Sequence, residues 1–260
     1  MFPEEIREIV GEQPYAVEGI GRSDSTVLLF DDMVLKIEAH SPQADATVEM
    51  MRWLVGKLPV PEVIRYVALE GKSYLLMRRA RGRMCCDAYH LDRAEETAEL
   101  LAQGLQMLWS VDVSDCPRQF GLEEDLKQAR KNVESGGISV GQFHPEAFAA
   151  EEFVSPAELL SWLEAHLPEY DPVLSHGDYC LPNVFLDHGS ISAFLDLGYT
   201  GVADRYRDVA TCYRSLKNNL NGTFGGKVYA DFRPELLFEK MGMAPDKEKI
   251  RYYLLLDTLL

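Results

Sequence analysis

The sequence predicts an α+β chain in two lobes, a small antiparallel-sheet lobe first and a mainly helical lobe after it. Three observations carry that expectation. Residues 15–77 break into short apolar runs separated by turn residues, with one helical pattern among them. Beyond Gly82 the apolar period lengthens to about 3.6 residues. Late in the chain two short strand patterns, Val184-Phe185-Leu186 and Ile191-Ser192-Ala193-Phe194-Leu195, stand between the polar residues Asp178, Asn183 and Asp196.

In the first lobe, residues 16–18 lead into a small-residue loop, 19–25, and then into a hairpin of residues 26–30 and 33–38 about the tight Asp31-Asp32. A loop containing Gly19, Gly21 and Ser23 lets backbone N–H groups approach phosphates without side-chain interference. Lys36 lies in an otherwise apolar strand. Its ammonium either snorkels to water or finds a partner such as nucleotide phosphate. Residues 44–56 read as a helix with Val48, Met51, Leu54 and Val55 on one side, closed by Gly56. Residues 63–69 and 73–77 form a second hairpin about Glu70-Gly71-Lys72. Arg78-Arg79-Ala80-Arg81-Gly82 breaks the strand pattern and connects the lobes, 1–79 and 80–260.

The second lobe opens on Asp92 and Glu95, spaced as a capping box, followed by Ala94, Ala98, Leu101, Leu105 and Leu108 on one helical face. Residues 122–133 are a further helix, and 134–152 a glycine-containing surface insertion. Ser155, Pro156 and Glu158 start the next helix, with Leu159, Leu160, Leu163 and Leu167 inward. Residues 203–216 are helical, 218–226 a loop, and 234–241 and 246–260 the closing helices.

Composition limits the partners. Lys plus Arg 26 against Asp plus Glu 42 leaves a net charge of −16, which argues against nucleic acid or anionic membrane as partner. The acidity draws cationic ligands or simply keeps the chain soluble. Five cysteines without a C-x-x-C pair suit a reducing cytoplasm. No signal peptide, membrane span or metal-type histidine spacing is legible, and the sequence sets no oligomeric state.

The chemistry concentrates in Ser175-His176-Gly177-Asp178-Tyr179-Cys180-Leu181-Pro182-Asn183, then Asp196-Leu197-Gly198 after the strand-turn-strand unit. Each piece alone also reads as a turn, a capped bend or a strand end. Together and in order they match the catalytic-loop and metal-loop spacing of phosphoryl transfer. A carboxylate must orient the acceptor hydroxyl and take its proton, the role of Asp178. Mg2+ takes oxygen ligands beside nucleotide phosphates, the role of Asn183 and Asp196. Asp208 reads as a structural carboxylate turned back to hold the catalytic loop.

With these residues the chain resembles the aminoglycoside 3′-phosphotransferases. The likeness runs through Trp53-Leu54-Val55-Gly56-Lys57-Leu58-Pro59-Val60-Pro61, Leu75-Leu76-Met77, Val111-Asp112-Val113-Ser114-Asp115-Cys116-Pro117, the His176 to Asn183 stretch, Leu195-Asp196-Leu197-Gly198 and Tyr252-Tyr253-Leu254-Leu255-Leu256-Asp257. The resemblance implies a protein-kinase-like fold with ATP in its cleft and Mg2+ as cofactor. It also implies phosphorylation of a hydroxyl on a cationic amino-sugar antibiotic. Lys36 and Ser23 would hold the nucleotide phosphates, the backbone of Met77, Arg78 and Ala80 the adenine, and Asp178, Tyr199, Arg214, Asp257 and Leu260 the acceptor.

This chain departs from that pattern at several places. The helix glutamate that pairs with the phosphate lysine falls at Thr47; the nearest acid, Glu49, lies about 200° round the helix. Tyr199 stands where relatives have arginine after the Asp-x-Gly. Asn218, Asn219 and Thr258 replace acids, and each lost carboxylate weakens a polycation site. Asp257, the carboxylate of Leu260, and Glu146, Glu151 or Glu152 are the acids left to compensate. A kinase for another amino-sugar or small alcohol, a nucleotide-binding module with little turnover, and an acidic structural domain are the competing readings.

Overall fold

The Asp31-Asp32 turn reverses the chain between β2 (Thr26–Leu29) and β3 (Met33–Ala39), and this hairpin is the centre of the first of two compact units. The computed structural model describes residues 2–18, 25–138, 153–224 and 227–260. One unit comprises Met1–Asp87 and Pro182–Thr200, the other Ala88–Leu181 and Gly201–Leu260. Gly19, Gly21 and Ser23 of the expected phosphate loop, and Glu146, Glu151 and Glu152 of the insertion, lie outside the described residues.

In the first unit, β1 (Ala16–Val17), β2, β3, β5 (Lys72–Arg78) and β4 (Val63–Leu69) lie side by side in that order, each pair antiparallel. Apolar residues on one face bury Leu28, Phe30, Leu35 and Leu76 against helix α1 (Glu4–Val10), which contributes Ile6 and Val10. Nothing in the sequence pattern announces α1. With two buried apolar positions in a seven-residue helix it has too little periodicity to be read, and packing on the sheet stabilises it.

Helix α2 (Pro42–Leu54) is capped by the Ser41 side chain, which accepts the Ala44 N–H at 3.2 Å, with Pro42 in the first turn. It ends at Leu54, so Val55, expected inward, is exposed. After the Arg78–Gly82 connector, β6 (Arg83–Met84) pairs with β8 (Val184–Asp187), and β8 with β9 (Ser190–Phe194). Thus the strand-turn-strand unit, distant in sequence, packs with the first unit. Gly82 makes this crossing: its φ is 82°, and a Cβ there would overlap the Leu186 carbonyl.

The second unit contains α3 (Ala88–Leu91), α4 (Ala94–Trp109), α5 (Leu122–Glu134), α6 (Pro156–Ala165), α7 (Arg205–Leu220), α8 (Leu236–Met241) and α9 (Lys247–Asp257). With them is the antiparallel pair β7 (Pro172–Ser175) and β10 (Gly201–Asp204). Leu101, Leu105, Leu159, Leu163, Leu216 and Leu255 are fully buried in it.

Three local expectations are corrected. Arg93, not Asp92, precedes α4, and Asp92 instead accepts Lys227 Nζ at 2.7 Å and the Tyr229 hydroxyl at 3.1 Å. Helix α6 stops at Ala165, which leaves Leu167 exposed. Ala203 and Asp204 end β10 rather than open a helix, and Asp204 caps α7 through the Tyr206 N–H at 2.8 Å. Among the described residues no helix is long and apolar enough to cross a membrane.

Candidate active site

In the second unit, β7 delivers the chain to the His176-Gly177-Asp178 turn, whose backbone amides are held by side chains. Asp208, fully buried on α7, accepts the His176 N–H at 2.6 Å through Oδ2 and the Gly177 N–H at 2.9 Å through Oδ1. Burial pushes the Asp208 pKa up, while His176 and the two backbone donors oppose the shift. The Asp178 N–H donates to His176 Nδ1 at 3.3 Å. The Tyr179 hydroxyl donates to the Leu101 carbonyl at 2.9 Å, and Ser215 Oγ accepts the Leu181 N–H at 3.0 Å. The expected role of Asp208 is therefore the observed one. Ser215, about two helical turns beyond Asp208 on α7, was not anticipated; a hydroxyl seven residues on, on the same helical face, was its only sequence signal.

The chain passes from the second unit to the first between Leu181 and Pro182. There the Leu195 N–H donates to the Asn183 carbonyl at 2.9 Å, continuing the β8–β9 ladder in which Val184 faces Phe194. The ladder brings Asn183 opposite Leu195, next to Asp196. Asp196 adopts the left-handed backbone, φ 59° and ψ 59°, a conformation uncommon for residues other than glycine. The following turn, Leu197–Tyr199, packs on α2: a Cβ at Gly198 would stand 3.1 Å from Thr47 Oγ1 and 3.4 Å from the Gln43 carbonyl.

Lys36, central in β3, also reaches this place. Its Nζ is 3.1 Å from Glu38 Oε2 and 3.5 Å from Asp196 Oδ1. Burial alone would lower the ammonium's pKa, but Asp196 and Glu38 outweigh it and hold it above the ordinary value. Thr47, at the position expected for the partner acid, donates its hydroxyl to the Gln43 carbonyl at 3.0 Å, and Glu49 is exposed. Sequence reasoning looked for the partner in α2 and missed Glu38. The period of two along a strand, which puts residues 36 and 38 on one face, was the signal available.

Of the expected adenine-binding backbone, the Arg78 N–H donates to the Glu62 carbonyl at 2.9 Å and the Arg79 N–H to the Asp32 carbonyl at 3.0 Å. Met77 and Arg78 end β5, and Ala80 follows, half-buried. Of the expected acceptor residues, Tyr199 is exposed in the first unit. In the second, Arg214 is paired with Asp257, and Asn132 Nδ2 donates to the Leu259 and Leu260 carbonyls at 2.9 and 3.0 Å. Asn218 is buried, so it adds no exposed polar group.

Known structures share this arrangement of elements. An aminoglycoside 3′-phosphotransferase of type VIII superposes with a TM-score of 0.80 at 23% identity, covering 98% of this chain and 97% of that one. The aminoglycoside phosphotransferase APH(3'')-Id from Streptomyces rimosus, solved with ADP and streptomycin, gives 0.74 at 24% identity over 98% and 95% of the two chains. The fold is thus that of the aminoglycoside phosphotransferases, α+β with a kinase-like pairing of sheet and helices. The aminoglycoside 3′-phosphotransferase of Staphylococcus aureus is 32% identical over 257 residues, 98% of this chain and 92% of that one. With a model of the phosphotransferase enzyme family matching residues 18–241 as well, the chain belongs to that family. Membership makes the protein an enzyme, a small-molecule phosphotransferase.

Proposed function

We propose that the protein transfers the γ-phosphate of ATP to a hydroxyl of an aminoglycoside, the 3′-hydroxyl by preference. The observation that carries this reading is the Asp178 loop, held by Asp208 at the two preceding amides, in a chain similar over 98% of its length to a 3′-phosphotransferase. Asp178 accepts the proton of the attacking hydroxyl as general base. Lys36 binds nucleotide phosphate oxygens, with Ser23 in the preceding loop. The backbone at Met77, Arg78 and Ala80 receives adenine; because the 78 and 79 amides are already engaged, recognition falls to the Ala80 amide and the carbonyls. Functionally the lobes are residues 1–79 for nucleotide and 80–260 for base and acceptor, although the hairpin 182–200 packs with the former.

The chemistry of Asn183 and Asp196 fits Mg2+, an amide oxygen and a carboxylate; the Leu195–Asn183 backbone bond puts the two residues close along the β8–β9 ladder, and the Asp196 side chain is 54% exposed. Mg2+ bound there supplies charge neutralisation to the phosphates. Arg214, Asp257, Tyr199 and Leu260 are the residues assigned to the acceptor. The Arg214 contact already compensates Asp257, and with Asn218, Asn219 and Thr258 in place of acids the pocket suits a less densely cationic amino-sugar. Streptomycin is the second acceptor to consider, since a structural neighbour was solved with it. The need for ATP, and five cysteines none of which is in a disulfide, support a cytoplasmic location.

The test is ADP release from ATP and Mg2+ with kanamycin, neomycin and streptomycin in turn, with NMR of the product to locate the phosphate. Turnover with kanamycin or neomycin at the 3′-position is expected. No turnover with any of the three at high enzyme removes the aminoglycoside assignment, and turnover with streptomycin alone moves the acceptor to the second reading.

A further inference from the structure

In kinases the phosphate-binding lysine works only when a carboxylate holds it in place, and that carboxylate ordinarily stands on a helix beside the sheet. Here the helix offers none in reach: Thr47 spends its hydroxyl on the Gln43 carbonyl, and Glu49 faces solvent. We propose that Glu38, on the same strand as Lys36, is the positioning carboxylate for the phosphate lysine. The inference rests on the reading of Lys36 given above and deepens it.

The geometry supports the choice between the two acids near Lys36 Nζ. Glu38 is the nearer, at 3.1 Å against 3.5 Å for Asp196. It is also the less exposed, its side chain 25% accessible against 54%. Residues 36 and 38 project from one face of β3, where backbone pairing to β5 fixes their separation: Lys36 lies opposite Leu75 and Glu38 opposite Ser73. Strand geometry therefore sets the pair without help from helix position. Asp196, on a turn after β9, is the proposed metal ligand, and a carboxylate neutralised by Mg2+ no longer attracts an ammonium strongly. Glu38 keeps its charge for Lys36. The arrangement also accounts for Thr47: with the carboxylate supplied by the strand, position 47 is given to close packing of α2 against Gly198.

Glu38 acts through Lys36, so its test must separate positioning from support of the fold. The variants are Glu38→Gln, which keeps shape and half-exposed surroundings, Lys36→Met, and Glu38→Gln combined with Thr47→Glu. Each is measured for melting temperature, for MgATP affinity by calorimetry, and for intrinsic ATP hydrolysis. Glu38→Gln is expected to melt near wild type, to bind MgATP about tenfold more weakly and to hydrolyse it about tenfold more slowly. Recovery in the double variant, where the charge returns to the helix, adds support. If Lys36→Met impairs MgATP binding while Glu38→Gln matches wild type in affinity and rate, the role of Glu38 is overturned and that of Lys36 stands. If Lys36→Met is itself indistinguishable from wild type, the reading of Lys36 fails and Glu38 has no lysine to position.

Discussion

The turn carrying Asp178 and the cluster of Lys36, Glu38 and Asp196 are built in opposite ways. Around Asp178 the chain is held by buried hydrogen bonds of fixed geometry: two amides on Asp208, one on Ser215, and the Tyr179 hydroxyl on Leu101. Around Lys36 three side chains of opposite charge meet at 3.1 and 3.5 Å, and one of them is more than half exposed. Hydrogen bonds in a dry interior are costly to leave unmade, so the first region has one conformation. Charge contacts near water are weak and exchangeable, so the second can change partners, as its proposed role toward phosphate and metal requires. The difference suits the roles proposed for the two regions: a proton acceptor needs a fixed position, whereas a site for a polyanion and its cation needs charges free to change partner.

Breaking the chemistry without touching the scaffold should have the largest effect. Asp178→Asn is expected to cut kcat by roughly 10²–10⁴-fold while urea denaturation stays close to wild type. A large loss of stability would place Asp178 among the scaffold groups instead.

Next comes the scaffold itself. Asp208→Ala strands the His176 and Gly177 amides in the interior, at about 1–3 kcal/mol each. Urea denaturation should show a loss of a few kcal/mol, with kcat falling as well. If stability is unchanged, the turn does not depend on this carboxylate.

A third experiment sharpens the rigid side through pH. Asp125 of α5 is buried beside Arg207 of α7, 3.4 Å away, and so tethers the helix that carries Asp208. Desolvation, partly offset by Arg207, raises its pKa from 3.8 to about 6. The folded state thus holds a proton that the unfolded state has released. This contribution favours folding below the unfolded value and is lost as pH rises through the folded one. Relative to Asp125→Asn, the wild type should lose about 3 kcal/mol in all between about pH 3 and 7, from ~1.4 kcal/mol per pKa unit. Parallel stability curves for the two proteins would refute the shift.

The smallest effect is expected at Ser215→Ala. Removing one hydroxyl from the Leu181 amide should cost about 1 kcal/mol in denaturation and lower kcat only modestly. A loss equal to that of Asp208→Ala would show that the turn is held at its far end as firmly as at its start.

Much of this was legible in order along the chain. The hairpins at Asp31-Asp32 and Glu70-Gly71 follow from turn residues between strand formers, and Ser155-Pro156 marks a helix start by local hydrogen bonding. Asp178, Asn183 and Asp196 stood out because oxygen ligands at that spacing have a chemical purpose. Less visible were elements whose stability comes from contact. Helix α1 is too short to show a period, and β6 is two residues that gain partners from β8 across much of the chain. Asp92 illustrates the limit of a local motif: its capping-box spacing was sound, yet Lys227 and Tyr229 offered a stronger charge-assisted contact.

By itself the sequence determined the two kinds of secondary structure, the phosphotransferase motifs and the residues proposed to bear the chemistry, since these depend on neighbours a few positions away. Tertiary structure decided which carboxylate faces Lys36, that the 182–200 hairpin packs with the first unit, and that Arg214 engages Asp257. The physical reason is common to all three. An ion pair or a sheet edge selects its partner by distance in space, and only the folded chain sets that distance.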